Sequence, residues 1–355
     1  MKSAPFKIIA SNLAVGLLTL AVSATALAQK AYRITDLGVL RGGSARVHGL
    51  NSRGQVVGGS GFVYGSDRHA FLWQGQGGMN DLRLQNGQIS EAFGINDAGV
   101  VVGTVNAATT TAAFRWSSSG GMRMLPLLPG TNASVAYAIN ASGESVGRCG
   151  NHAVLWTGDS VVELAGLPGG SWSESHGLNN RGQIAGFSSS GEGTRAVLWS
   201  GGRIRNLGVL PGDLSSRANT INDVGTVVGA SEGRTGVHAF MWTPAGGMEA
   251  LETPEGGNYS EAFGINSAGQ IVGSSGSSVG TRAVIWSKST GLVDLNTLVE
   301  GAPPTLVLTG AVAINETGEI VAFGVDEPEL SKSLEVRDDR NMHHAGTKVF
   351  LLSPQ

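Results

Sequence analysis

EAFGINDAGVVVG, residues Glu91 to Gly103, reads as a complete β-hairpin. Glu91, Phe93 and Ile95 alternate with Ala92 and Gly94, the period of a strand. Asn96-Asp97-Ala98-Gly99 then reverses the chain. Asparagine suits the first corner of a type I turn, and glycine supplies the positive φ that a bulged hairpin of this length needs. Val100 to Gly103 is the apolar, β-branched return strand.

The same hairpin recurs along the chain. Its corner asparagines are Asn51, Asn96, Asn140, Asn179, Asn222, Asn266 and Asn315, at steps of 45, 44, 39, 43, 44 and 49 residues. A glycine follows each by three: Gly54, Gly99, Gly143, Gly182, Gly225, Gly269 and Gly318. After the return strand comes a run ending in tryptophan, as in HAFLW at His69 to Trp73, HAVLW at His152 to Trp156 and HAFMW at His238 to Trp242. AAFRW at Ala112, RAVLW at Arg195 and RAVIW at Arg282 hold the same place. A fourth short strand centres on Leu37, Leu82, Leu125, Leu164, Leu207, Leu251 or Leu295, and a Pro/Gly loop follows.

Four antiparallel strands in about 44 residues make one blade of a β-propeller. The strand before the asparagine is the innermost, A, because its alternate residues are small: Ala92 and Gly94, Ala136 and Ala138, Ser175 and Gly177, Ala262 and Gly264. The return strand is B, the tryptophan strand C and the leucine strand D. The chain opens with an unaccompanied D strand, Tyr32 to Leu40, and ends with A, B and C strands that lack a D. These fragments complete one sheet, so the fold class expected is all-β, a closed seven-bladed β-propeller. An open β-helix with two coils per repeat is the competing fold, and it has no use for complementary ends. The seventh copy is irregular. Leu352 replaces tryptophan, Ala322 replaces glycine, and a charged B–C insertion runs from about Val325 to Thr347.

Residues 1–28 read as a signal peptide: Lys2 and Lys7, an apolar core from Leu13 to Val22, and Ala26-Leu27-Ala28 before the cut. That core is shorter than the roughly 20 residues that span a bilayer. The chain is therefore expected to be secreted, to periplasm or medium, with no transmembrane segment after cleavage. Among 355 residues only 14% are charged and the net charge is −3, which argues against a nucleic-acid partner. The lone cysteine, Cys149, reads as a buried inert thiol.

The repeating tryptophans read as packing between blades. His69, His152 and His238 are distributed around the ring and cannot converge on one ion. His343-His344 beside Asp338 and Asp339 reads as a solvated loop. No metal or cofactor is expected, and no catalytic constellation stands out. The D–A and B–C loops share one face of a propeller, and the irregular sequence collects there: Trp172, Tyr259, Phe62, Tyr64 and the insertion. Strand A begins there with Arg46, Glu91, Val135, Glu174, Arg217, Glu261 and Gly310. The candidate ligand-binding residues are therefore Trp172, Tyr259, Glu91, Glu174, Glu261, Arg46 and Arg217. Aromatics beside a polar funnel suit sugars or peptides.

HAFLW and HAFMW, with GINDAG at Gly94, TINDVG at Thr220, LGVLPGD at Leu207 and AGLPGGSWSES at Ala165, resemble the HAF-repeat family of bacterial extracellular repeat proteins. The resemblance covers about Asp36 to Trp286; the third, fourth and sixth copies read HAV or RAV, and the seventh KVFLL. It implies secretion or surface exposure and a propeller-like repeat, and it brings no catalytic residues. The expected role is a monomeric, non-enzymatic module binding a glycan, peptide or envelope component. The alternatives are a carbohydrate-active lyase or hydrolase using Glu91, Glu174 or Glu261, and a structural envelope component.

Overall fold

Each of the seven asparagine corners closes a hairpin. The glycine N–H donates to the asparagine carbonyl three residues back at 2.9–3.1 Å. Its φ lies between 70 and 92°, a region that only glycine enters without steric cost. These facts come from a computed structural model that describes residues 32–40, 43–61, 68–75, 77–83, 89–107, 110–326 and 347–355. The expected signal peptide, Phe62, Tyr64, His343, His344 and most of the expected insertion lie outside the described residues.

The hairpins extend into seven antiparallel sheets in A-B-C-D order. Blade 2 shows the pattern: A is Ser90–Ile95, B Val101–Ala107, C Thr110–Ser117 and D Gly121–Met124. The A strands of blades 1 to 6 begin at Ser44, Ser90, Ser134, Ser173, Asp213 and Ser260. Blade 7 joins Leu306–Ile314, Ile320–Asp326 and Lys348–Pro354 to the first described strand, Tyr32–Asp36. Tyr32 pairs with Pro354 and Asp36 with Phe350, so the two ends of the chain share a sheet. The A strands touch their neighbours in a closed circle. This is a seven-bladed β-propeller, and the open β-helix is excluded. One feature is absent from the repeat pattern: Val299–Glu300 adds a short parallel strand outside Tyr32–Arg33, covering that rim edge.

The corner asparagine does more than turn the chain. Its Oδ1 accepts the backbone N–H four residues on in every copy, and in four copies also the one two residues on, as Asn96 does from Val100 and Ala98. Its Nδ2 crosses to the next blade. Asn51 donates to Asn96 O, Asn96 to Asn140 O, Asn140 to Asn179 O and Asn179 to Asn222 O. Asn222 donates to Asn266 O, Asn266 to Asn315 O, and Asn315 back to Asn51 O at 3.0 Å. All seven are buried, so every bond is made where an unpaired amide N–H would be costly. Ring closure thus has two independent latches: the shared sheet at the rim and this asparagine circle at the axis.

The core is a ring of seven wedges, one between each pair of neighbouring blades. Val57, Leu72 and Leu82 of blade 1 meet Ile95, Val101 and Phe114 of blade 2. The last wedge joins Val321, Phe323 and Leu351 of blade 7 to Val47, Phe71 and Trp73 of blade 1. The tryptophans face these wedges as predicted. Trp73, Trp156, Trp199, Trp242 and Trp286 are buried, whereas Trp116 is only half-buried. Several indole N–H groups reach the preceding blade's D–A segment: Trp156 to Pro126 O, Trp199 to Ala165 O, Trp286 to Glu252 O. The alanine before them is pinned as well. Ala70, Ala113, Ala153, Ala196 and Ala239 donate their N–H to a buried serine of the next blade, Ser90, Ser134, Ser173, Ser216 and Ser260.

Two details differ from the sequence reading. Most D-strand leucines sit just past the strand rather than at its centre; Leu82 and Leu125 still donate to Ala70 O and Ala113 O, which turns them inward. In blade 7, strand A runs from Leu306 and carries a second bulge at Leu308/Gly310 beside the one all blades share. Val325 and Asp326 belong to strand B, so the insertion begins after them.

Candidate functional site

The innermost strands line a central channel whose two mouths differ. At the A–B mouth the asparagine circle and a collar of Leu50, Ile95, Ile139, Leu178, Ile221, Ile265 and Ile314 bound a cavity of about 300 Å³. Outside it, Asp97 accepts from Ser52, Asp223 from Asn180 and Glu316 from Ser267, always across a blade boundary. These carboxylates extend the ring-closing pattern.

The D–A mouth follows another logic. Every A strand carries a β-bulge three residues before the corner asparagine, skipping His48, Phe93, Tyr137, His176, Asn219, Phe263 or Val312 in the pairing. A bulge leaves its extra residue unpaired and re-aims its side chain. Most residues on either side are small because the blades nearly touch: a Cβ on Gly94 would lie 3.0 Å from Tyr137 O and 3.1 Å from Ala138 Cα. All seven bulged side chains are half-buried. Four touch in succession around the channel. His48 meets Phe93 at 4.9 Å, Phe93 meets Tyr137 at 5.4 Å, and Tyr137 stacks on His176 at 4.3 Å and 17°. Phe187 on strand B continues the arc, 5.0 Å from His176 and 5.4 Å from Trp172.

Charges are set into this arc in separate groups. Glu91 is held by His48 Nε2 at 2.7 Å and Arg68 Nη1 at 3.4 Å. Burial alone pushes its pKa up, but the His48 hydrogen bond and the positive fields of His48, Arg68 and Arg46 prevail, and it falls to about 2. Glu174 lies 3.1 Å from His176 Nε2, 3.4 Å from Arg148 Nε and 3.5 Å from the Tyr137 hydroxyl. Burial opposes its ionisation too, yet His176 and Arg148 hold its pKa below the usual carboxylate value. Burial, then the Glu174 charge, raises that of Tyr137. Glu261 accepts from Asn219 Nδ2 at 3.0 Å and from the Tyr259 hydroxyl at 3.4 Å.

The predicted residues are therefore sorted rather than gathered. Arg46 and Glu91 share one neighbourhood, where burial and Arg68 lower the pKa of Arg46 and Glu91 raises it. Trp172 and Arg217 meet through Phe187, with the exposed Arg217 guanidinium 5.6 Å over its ring. Tyr259 and Glu261 form a third group. The D–A loop at Trp172 is tied down, since Ser189 Oγ accepts the Trp172 N–H and donates to its carbonyl. Among the described residues no cluster of His, Cys, Asp and Glu has the geometry to hold a metal ion. Cys149 is buried, and burial raises its pKa. Sequence reading missed the bulged side chains and their partners Arg68, Arg148 and Phe187. The available signal was a bulky residue, different in most copies, between two small ones on strand A.

No family model matches the chain, and no curated protein matches it in sequence. Solved propellers do match in shape. A streptogramin B lyase structure superposes with a TM-score of 0.58 at 11% identity, over 92% of this chain and 98% of that one. Virginiamycin B lyase from Staphylococcus aureus, in selenomethionine form, gives 0.55 at 12% identity, over 91% and 99%. A catalytically inactive histidine-to-alanine form of that lyase, with quinupristin, gives 0.54 at 11% identity over the same shares. Identities this low establish a shared propeller fold and nothing finer.

Proposed function

We propose that this is a secreted, HAF-like propeller that acts as a non-enzymatic binding module, with its ligand at the D–A mouth of the channel. One observation supports this most. Strand A keeps small residues in register around the ring, yet at the bulge it presents a half-buried run of His48, Phe93, Tyr137 and His176. A wall of rings with polar tips matches a small ligand that offers a flat apolar face and hydrogen-bonding groups. Trp172 stands at its edge through Phe187, and Tyr259 lies on the same mouth two blades on. A glycan array probed with the mature chain and with Trp172→Ala is the test. Equal signals from two folded proteins on every positive spot would remove this mouth from the proposal.

A second reading is favoured by the His176–Glu174 pair. Glu174 fixes the imidazole, and the Tyr137 ring stacks on it, as a proton-transfer site would require. In that reading His176 serves as base, because the lowered pKa values of Glu91 and Glu174 make their carboxylates weak bases. The similar virginiamycin B lyase is catalytically inactive once a histidine is replaced by alanine, so a histidine matters in that protein. Turnover of an oligosaccharide by the native chain, abolished in a folded His176→Gln variant, would favour the enzyme.

A further inference from the structure

The cations of the D–A mouth are not equivalent. Arg68 and Arg148 each face a carboxylate, Glu91 and Glu174, and Arg46 lies in the field of Glu91. Arg217 is different. It is exposed, and among the described residues no carboxylate lies within ion-pair distance of it. Its guanidinium rests over the Phe187 ring at 5.6 Å. A ring contact of this kind uses no N–H bond, so it is compatible with the N–H fork gripping a carboxylate in two parallel bonds.

The groups around Arg217 fit one kind of ligand. Trp172 and Tyr259 each stand seven residues before their corner asparagine, in blades 4 and 6, and so flank Arg217 of blade 5 from both sides. Two aromatic rings beside a cation suit a ligand built of rings with flat C–H faces. Asn219 and Glu261, joined at 3.0 Å, add amide and carboxylate oxygens that accept from sugar hydroxyls, since both Asn219 Nδ2 hydrogens are engaged by Glu261 and Ala262 O. We propose that the ligand of this mouth is a carboxylate-bearing sugar of the uronic-acid class, with Arg217 as the receptor of its carboxylate. This rests on the binding reading above.

Calorimetric titration of the mature chain with trigalacturonate, neutral galactotriose and a short oligoglutamate peptide tests it. Trigalacturonate binds at least about tenfold more tightly than galactotriose, as a bidentate charged contact predicts. Arg217→Gln removes that preference, and Arg217→Lys retains part of it, keeping charge but losing the fork. Added salt weakens trigalacturonate alone. Trp172→Ala weakens both sugars together. A preference that survives Arg217→Gln, equal binding of the two sugars, or no binding of trigalacturonate overturns the acidic-sugar assignment. Tighter binding of oligoglutamate than of trigalacturonate also overturns it, in favour of an acidic peptide. The binding reading fails separately, if folded Trp172→Ala and Tyr259→Ala variants bind every probe as the native chain does.

Discussion

The two mouths of the channel are built from the same strands and obey opposite rules. At the A–B mouth all seven blades place asparagine at the corner, and each side chain makes the same bond to its neighbour. At the D–A mouth the equivalent positions hold His, Phe, Tyr, His, Asn, Phe and Val, and their partners differ blade by blade. Repetition serves closure, because each blade–blade joint must solve the same geometric problem. Divergence marks where that problem is absent and a side chain is free to meet something else.

The wedges between blades are common to both ends and set the scale. Trp156 is 1% exposed and bonds Pro126 O, so Trp156→Ala leaves a cavity and an unpaired carbonyl. A loss of about 3–5 kcal/mol is expected by urea unfolding. An unchanged midpoint would contradict the wedge description. Next comes the D–A mouth under acid. Glu91 has a folded pKa of about 2 against an ordinary 4.5. A depressed carboxyl contributes stability that is complete above its unfolded pKa and is lost as pH falls toward the folded one. Glu91 is 12% exposed at the side chain, and its contribution is on the order of 3 kcal/mol. Glu91→Gln lacks it throughout, so the stability gap between native chain and variant narrows from about pH 5 to pH 2. A gap that is flat over that window would show that the ion pairs contribute nothing there.

The asparagine circle gives a smaller but more even effect. Asn96→Ala and Asn222→Ala each remove one inter-blade bond and the Oδ1 acceptor of the N–H four residues on, Val100 and Thr226. Each is expected to cost about 2 kcal/mol, and the two to agree within about 0.5. Unequal costs would mean that the circle is less regular in energy than in geometry. The smallest change in stability belongs to Trp172→Ala at the divergent mouth, below about 1 kcal/mol, because the ring is only half-buried. Its effect should appear in ligand affinity instead, and a variant that unfolds outright would make Trp172 part of the core.

Much of the fold could be read in advance, and the reasons are local. Gly99 and its equivalents need positive φ whatever surrounds them, so the hairpins were visible in four residues. The unaccompanied strand at Tyr32 required a partner sheet, and Lys348–Pro354 supplies it. The site was half legible. Arg46, Glu91, Glu174, Arg217 and Glu261 were recognisable as one ring of positions, because strand register is periodic. What they would touch was not. His48 reaches Glu91 across 43 residues of sequence, and Tyr137 and His176 stack across blades of unequal length.

The sequence by itself determined the number of blades, the strand order and the joint between the chain ends, since turn chemistry and strand period act within a few residues. Only the tertiary structure decided what the corner asparagines bond to, which bulged side chains form a continuous wall, and that among the described residues Arg217 has no carboxylate within ion-pair distance. Those outcomes depend on which blades stand side by side and how far the A strands approach one another. Such distances exist only once the ring has closed.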